Sequence, residues 1–195
     1  MVAFAWKALC NRIATKDNLV LRNVLPTEAS NWCVLCNRVE ESMRHLFLHC
    51  EVARSVWLRL MVWMNCYFII PPNLFVHWDC WCGEGGNKKV IKGLRLVWHT
   101  AVWLLWKARN NKKFNNSNCE VEELVEEIKV LSWRWMLYRT NIPTCLFYEW
   151  CWNPRLCLLR WGVVCFHGVA AFCPYLMLWL YCVLKFWLLF FKKLN

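Results

Sequence analysis

Apolar residues recur along most of the chain at three- and four-residue spacing, the period of a helix with one buried face. Phe4, Ala8, Leu9 and Ile13 begin the pattern, so residues 3–23 read as one or two short helices. Thr15 is a natural N-cap there, with Asp17 in the first turn where the helix dipole favours a carboxylate. Pro26 and the polar residues 27–31 predict a loop. Val52, Val56 and Leu60 stand four apart, with Arg54, Ser55 and Arg59 on another face, which predicts a helix over 51–64. Pro71-Pro72 stops any continuation, and GEGGNKK (83–89) reads as a loop.

The pattern resumes at 90–109, which ends in Lys107 and Arg109. Its uncharged run, Leu96–Trp106, is 11 residues, too short to span a bilayer, so a core helix is expected. Residues 110–118 are polar and read as a linker. The strongest helix signal covers 119–139. Ser117 and Glu120 have the spacing of a capping box, and glutamates fill the first half while Lys129, Arg134 and Arg139 fill the second. Val121, Leu124, Val125, Ile128, Leu131 and Trp135 make its buried stripe, and Pro143 ends it.

After residue 158 the pattern changes. Trp161–Leu184 is 24 residues without Asp, Glu, Lys or Arg, long enough for a transmembrane helix at about 162–184. Trp161, Tyr175 and Trp187 suit an interface, and Pro174 is tolerated in a membrane helix. Orientation is balanced between Arg155 and Arg160 on one side and Lys185, Lys192 and Lys193 on the other. Lys192-Lys193-Leu194-Asn195 has the form of a dilysine retrieval signal, but a tail-anchored topology would turn those lysines to the lumen. His167 is the ionisable residue within the run.

Composition narrows the class. Of 195 residues, 59% are hydrophobic and sixteen are Trp, which excludes ordinary disorder and requires a buried core. Net charge is +11, and residues 61–118 are the most basic third: Lys88, Lys89, Lys92, Arg95, Lys107, Arg109, Lys112 and Lys113 face two acids. Such a patch is a candidate contact for RNA or DNA, or for acidic headgroups. The N-terminus lacks the apolar run and cleavage site of a secretory signal. The fourteen cysteines are therefore expected as metal ligands or buried thiols in a reducing compartment rather than as disulfides.

One cysteine cluster has metal-site spacing: Cys33-x2-Cys36, eight residues, then His45-x4-Cys50. Zinc takes four tetrahedral ligands from thiolate and imidazole, and a Cys-x2-Cys turn points two sulfurs at one centre. Four protein ligands leave no place for a catalytic water, so the one expected Zn²⁺ is structural. His49 competes with His45, but adjacent residues such as His49 and Cys50 converge poorly on one ion. His77, Cys80 and Cys82 lack a fourth ligand. Cys145, Cys151 and Cys157 have no metal-site spacing, and His99 reads as a packed core histidine.

FAWKALCNRIATKDNLVLRNVL (4–25) followed by CVLCNRVEESMRHLFLHC (33–50) resembles the zinc-binding domain of plant non-LTR retrotransposon reverse transcriptases. VWLLWKARNNKKF (102–114) and LSWRW…FYEWCWNPRLCL (131–158) resemble the extension that follows it. The resemblance covers about residues 1–158 and implies that Cys33, Cys36, His45 and Cys50 bind the metal. Ala14 stands where relatives carry proline, and the chain begins inside the first helical segment of the pattern.

The expected fold is mainly α, with a zinc-binding domain at 1–66, a helical extension at 67–158 and an apolar C-terminal helix at 159–195. Reverse transcription needs aspartates that hold two metal ions. Asp17 and Asp79 are the two aspartates present, far apart in sequence, and no RNase H carboxylate cluster stands out. The expectation is an accessory module without catalysis, binding RNA or DNA, with no small-molecule substrate. The alternatives are a tail-anchored membrane protein with a cytosolic zinc module, or the product of a decayed transposon. Location follows the tail: a single-pass membrane protein if it inserts, otherwise cytoplasm or nucleus.

Overall fold

A computed structural model describes residues 1–26, 30–83, 86–118, 120–140 and 145–160. Eight α-helices and one π-turn make up the described architecture: α1 (Val2–Leu9), α2 (Lys16–Leu21), the π-turn (His45–His49), α3 (Glu51–Met64), α4 (Leu74–Gly83), α5 (Lys88–Asn115), α6 (Val121–Thr140), α7 (Phe147–Trp152) and α8 (Pro154–Arg160). No strand occurs among the described residues; one isolated bridge joins Trp32 to Glu40. The mainly helical class matches the periodicity.

The first helical segment divides at Asn11, which takes a left-handed φ of 52° that asparagine tolerates better than most residues. Thr15 occupies the N-cap of α2, but its hydroxyl donates to Asp17, whose carboxylate accepts the Asn18 N–H at 2.8 Å. Asp17 therefore does the capping. α3 spans the expected residues and stops at Asn65 (φ 49°), and Arg155 from α8 donates to the Met64 carbonyl at 2.7 Å, satisfying one of the orphan acceptors of that end.

Three expectations are corrected. Residues 110–115 are helical rather than linker, because α5 continues until Asn116 turns left-handed at φ 51°. Ser117 and Glu120 form no capping box: α6 starts at Val121, so Glu120 takes the cap position and Ser117 lies too far upstream. Cys145 and Cys157 are paired as a disulfide with Cα atoms 5.6 Å apart, where free thiols or metal ligands were expected. The helices α7 and α8, folded back on each other around Asn153, bring the two residues together.

α5 is the axis of the unit. At 28 residues it is about 42 Å long, and α1, α4, α6, α8 and the π-turn all pack on it. Gly93 lets α8 approach: a Cβ at that position would overlap the Leu158 side chain. Indoles fill the core and satisfy their own N–H groups. Trp57 donates to the Phe47 carbonyl at 2.7 Å, Trp81 to Leu94 at 2.8 Å, and Trp98 to His77 Nδ1 at 3.0 Å. The Trp57, Trp81 and Trp98 rings surround His77, which is fully buried. No described helix is long and apolar enough to cross a membrane, and the proposed span at 161–184, with His167, lies outside the described residues.

Candidate metal centre

The knuckle that carries the cysteines is built from local hydrogen bonds. The Cys33 N–H donates to the Val39 carbonyl at 2.7 Å and the Glu41 N–H to Asn31 at 2.7 Å, closing a short loop. Inside it the Asn37 N–H returns to the Cys33 carbonyl at 2.8 Å, with Asn37 left-handed at φ 53°. That turn sets the Cys33 and Cys36 sulfurs on one side. The π-turn supplies the other pair: the Cys50 N–H bonds the His45 carbonyl at 2.6 Å, a five-residue ring that carries Cys50 back beside His45. Ser42 Oγ accepts the His45 N–H at 3.2 Å, and the Trp57 indole holds the Phe47 carbonyl from below.

The ligand atoms of Cys33, Cys36, His45 and Cys50 all lie within 4.8 Å of one another. Cys33 Sγ is 3.9 Å from Cys50 Sγ, and Cys36 Sγ is 3.2 Å from His45 Nε2. A tetrahedral zinc with its usual bond lengths has S–S edges of about 3.8 Å and S–N edges of about 3.6 Å. The four groups thus nearly outline the polyhedron. Cys33 and Cys50 are completely buried, His45 nearly so, and Cys36 half-buried. His49 is exposed and stands outside the cluster. Soft thiolates and one imidazole fit a single zinc ion, held in a closed structural site.

The protonation chemistry suits metal capture. The hydrogen bond with Cys50 holds the Cys33 thiol down to about 5, against its own burial and with help from the Cys36 and Leu35 N–H groups. The same bond, together with burial, pushes the Cys50 thiol up. One proton is therefore shared between two sulfurs in the metal-free site. A groove of about 400 Å³ opens beside the cluster, lined by Cys36, His45, His49, Arg38 and Arg54, and gives an ion a way in.

Residues 1–57 match a known family, described as zinc-binding in reverse transcriptase. The matched segment is similar to that zinc-binding domain, and it contains Cys33, Cys36, His45 and Cys50. No match to a catalytic polymerase domain accompanies it. No curated protein and no solved structure matches the chain.

The eight basic residues of the middle third fall into two groups. Lys107 pairs with Glu127 at 2.6 Å, Lys112 donates to the Leu35 carbonyl at 2.8 Å, and Arg109 is buried in a two-point pair with Glu41 at 2.6 and 3.1 Å. Arg109 is therefore corrected from surface contact to core ion pair, because α5 turns it onto the zinc-binding domain. Lys113 stays exposed beside Phe114. Lys88, Lys92 and Arg95, spaced four and three apart, share one exposed face at the start of α5, with Lys89 beside them. Among the described residues neither Lys88 nor Lys92 pairs with a carboxylate. Arg95 lies over Trp78 at 5.8 Å, and Trp78 packs on His99 at 5.0 Å. His99 is accordingly half-buried against aromatic rings rather than sealed in the core.

Glu41 is the residue that periodicity and motif spacing passed over. Its carboxylate also accepts the Lys16 N–H at 3.1 Å and the Val34 N–H at 3.4 Å, while Lys16 Nζ grips the Ser30 and Trp32 carbonyls. The available signal was an arginine at 109 in register with the apolar stripe of Val102 and Leu105. His77, Cys80 and Cys82 do not converge on a metal: His77 is an indole acceptor in the core, and Cys82 lies against Arg95.

Proposed function

We propose that the chain is a zinc-stabilised accessory module of retrotransposon reverse-transcriptase type that binds nucleic acid and performs no catalysis of its own. The observation that carries the reading is the uncompensated cationic face of Lys88, Lys92 and Arg95 with Trp78 alongside. Three cations at helical spacing follow a phosphate backbone, and an indole next to them offers a base a stacking partner. Zinc keeps its structural role, because four protein ligands leave no position for an activated water. Asp17 is committed to capping α2, which removes one of two aspartates from any two-metal site.

Fluorescence anisotropy with a labelled single-stranded oligonucleotide across a salt series tests this reading. Three phosphate contacts on a single strand give a log–log slope of about −2, and Lys92→Glu with Arg95→Glu abolishes measurable binding. A weak affinity that does not change with salt refutes it.

A further inference from the structure

One residue that lies far beyond the family-matched segment reaches into the metal site. Lys112, on the last turn of α5, donates from Nζ to the Leu35 carbonyl at 2.8 Å, inside the Cys33-x2-Cys36 turn. That carbonyl belongs to the same peptide unit as the Cys36 N–H, and the Cys36 N–H is one of the backbone groups hydrogen-bonded to the Cys33 sulfur. A chain of polar contacts therefore runs from the Lys112 ammonium through one peptide to a ligand sulfur. Hydrogen bonds in series polarise one another, so a cation on the carbonyl strengthens the N–H on the other side.

A cation there offsets the charge of the centre. Three thiolates and a neutral imidazole around Zn²⁺ carry a net charge of −1, and Cys33 and Cys50 are completely buried. Arg109 cannot supply the balance, since Glu41 neutralises it. Lys16 also lies on the knuckle, but its contacts are to Ser30 and Trp32, upstream of the ligands. Arg38 is exposed and paired with Glu51. Arg54 lines the groove beside the cluster, and Lys112 is the cation whose hydrogen bond lands on a peptide between two ligands.

We propose that Lys112 is a positioning residue of the metal centre, setting the Cys33 sulfur and balancing its charge through the Leu35–Cys36 peptide. The working zinc-binding unit then extends to the end of α5, well past residue 57. The inference rests on the reading of Cys33, Cys36, His45 and Cys50 as zinc ligands.

Cobalt titration of the metal-free full-length chain, followed by zinc competition, separates the two. Wild type takes up one Co²⁺ with a thiolate charge-transfer band; no uptake overturns the zinc reading and this inference with it. Lys112→Met keeps a stoichiometry of one but binds roughly 10–100-fold more weakly, the usual effect of removing an outer-shell partner, and its charge-transfer band moves to lower energy. Lys112→Arg, which still donates to the carbonyl, restores affinity to within about threefold. Lys113→Met, one residue along and exposed, changes neither quantity. Should Lys112→Met fail to fold by far-ultraviolet circular dichroism, Lys112→Gln is used instead, which keeps a donor and loses the charge. A wild-type affinity and band in the neutral variant, while wild type binds cobalt, overturns the role of Lys112.

Discussion

Replacing Arg109 by methionine would leave Glu41 as a carboxylate sealed in the interior without its countercharge. The two side chains are 2% and 0% exposed, and both guanidinium contacts are short. Removing one partner of such a buried pair costs about 3–5 kcal/mol, because the remaining charge stays desolvated. That is a large part of the roughly 5–15 kcal/mol that holds a domain folded. With a urea slope of about 2 kcal/mol/M, the midpoint falls by about 2 M. The double variant Glu41→Met/Arg109→Met recovers part of the loss by removing both charges. It does not recover all of it, since the Lys16 and Val34 N–H groups lose their acceptor, at about 1–3 kcal/mol for a buried one. The assay is urea unfolding of the zinc-loaded full chain, followed by far-ultraviolet circular dichroism for wild type, both single variants and the double. A midpoint for Arg109→Met within about 0.3 M of wild type refutes the reasoning, as does strict additivity of the two single losses.

Cys36→Ser removes a ligand of the half-exposed corner, and atomic emission should find zinc falling from one ion per chain to near zero. His77 is held down to about 3 by burial, so its neutral form is the one the fold selects. The unfolded chain takes up the proton first: stability is complete above about 6.5 and is lost as pH falls toward 3, by roughly 5 kcal/mol in all. Urea midpoints between pH 7 and 4 should show that slope, and His77→Gln, which keeps an acceptor for Trp98, should flatten it. Gly93→Ala drives a Cβ into Leu158 and should lower stability by about 1–3 kcal/mol in the same assay.

The legible parts of the chain were those with an internal contrast. α3 alternates apolar and charged faces and ends where expected, and the metal cluster follows from the Cys-x2-Cys spacing, with the packing deciding for His45 over His49. α4 was missed because Leu74–Gly83 is apolar nearly all round, which leaves no period to read. Its start was nonetheless written in Asn73, whose side chain accepts the Val76 N–H at 2.8 Å. α7 and α8 are only six and seven residues long, and such helices form against neighbours rather than from propensity. The Asn153-Pro154 step marks the second of them, with Asn153 capping Leu156.

The amino-acid sequence by itself pointed to the helical class and to Cys33, Cys36 and Cys50 with His45 preferred over His49 as candidate metal ligands, because periodicity and ligand spacing act between residues close along the chain. It also supplied a strongly basic segment, but it did not decide what the cations do. Arg109 and Lys112 lie 68 and 77 residues from Glu41 and Leu35, and only the packing of α5 against the knuckle brings them together. Tertiary structure thus turned one formal patch into two: an internal brace for the zinc-binding domain and an exposed stripe at Lys88, Lys92 and Arg95. The physical reason is that charge is a property of a residue, whereas its partner and its desolvation belong to the fold.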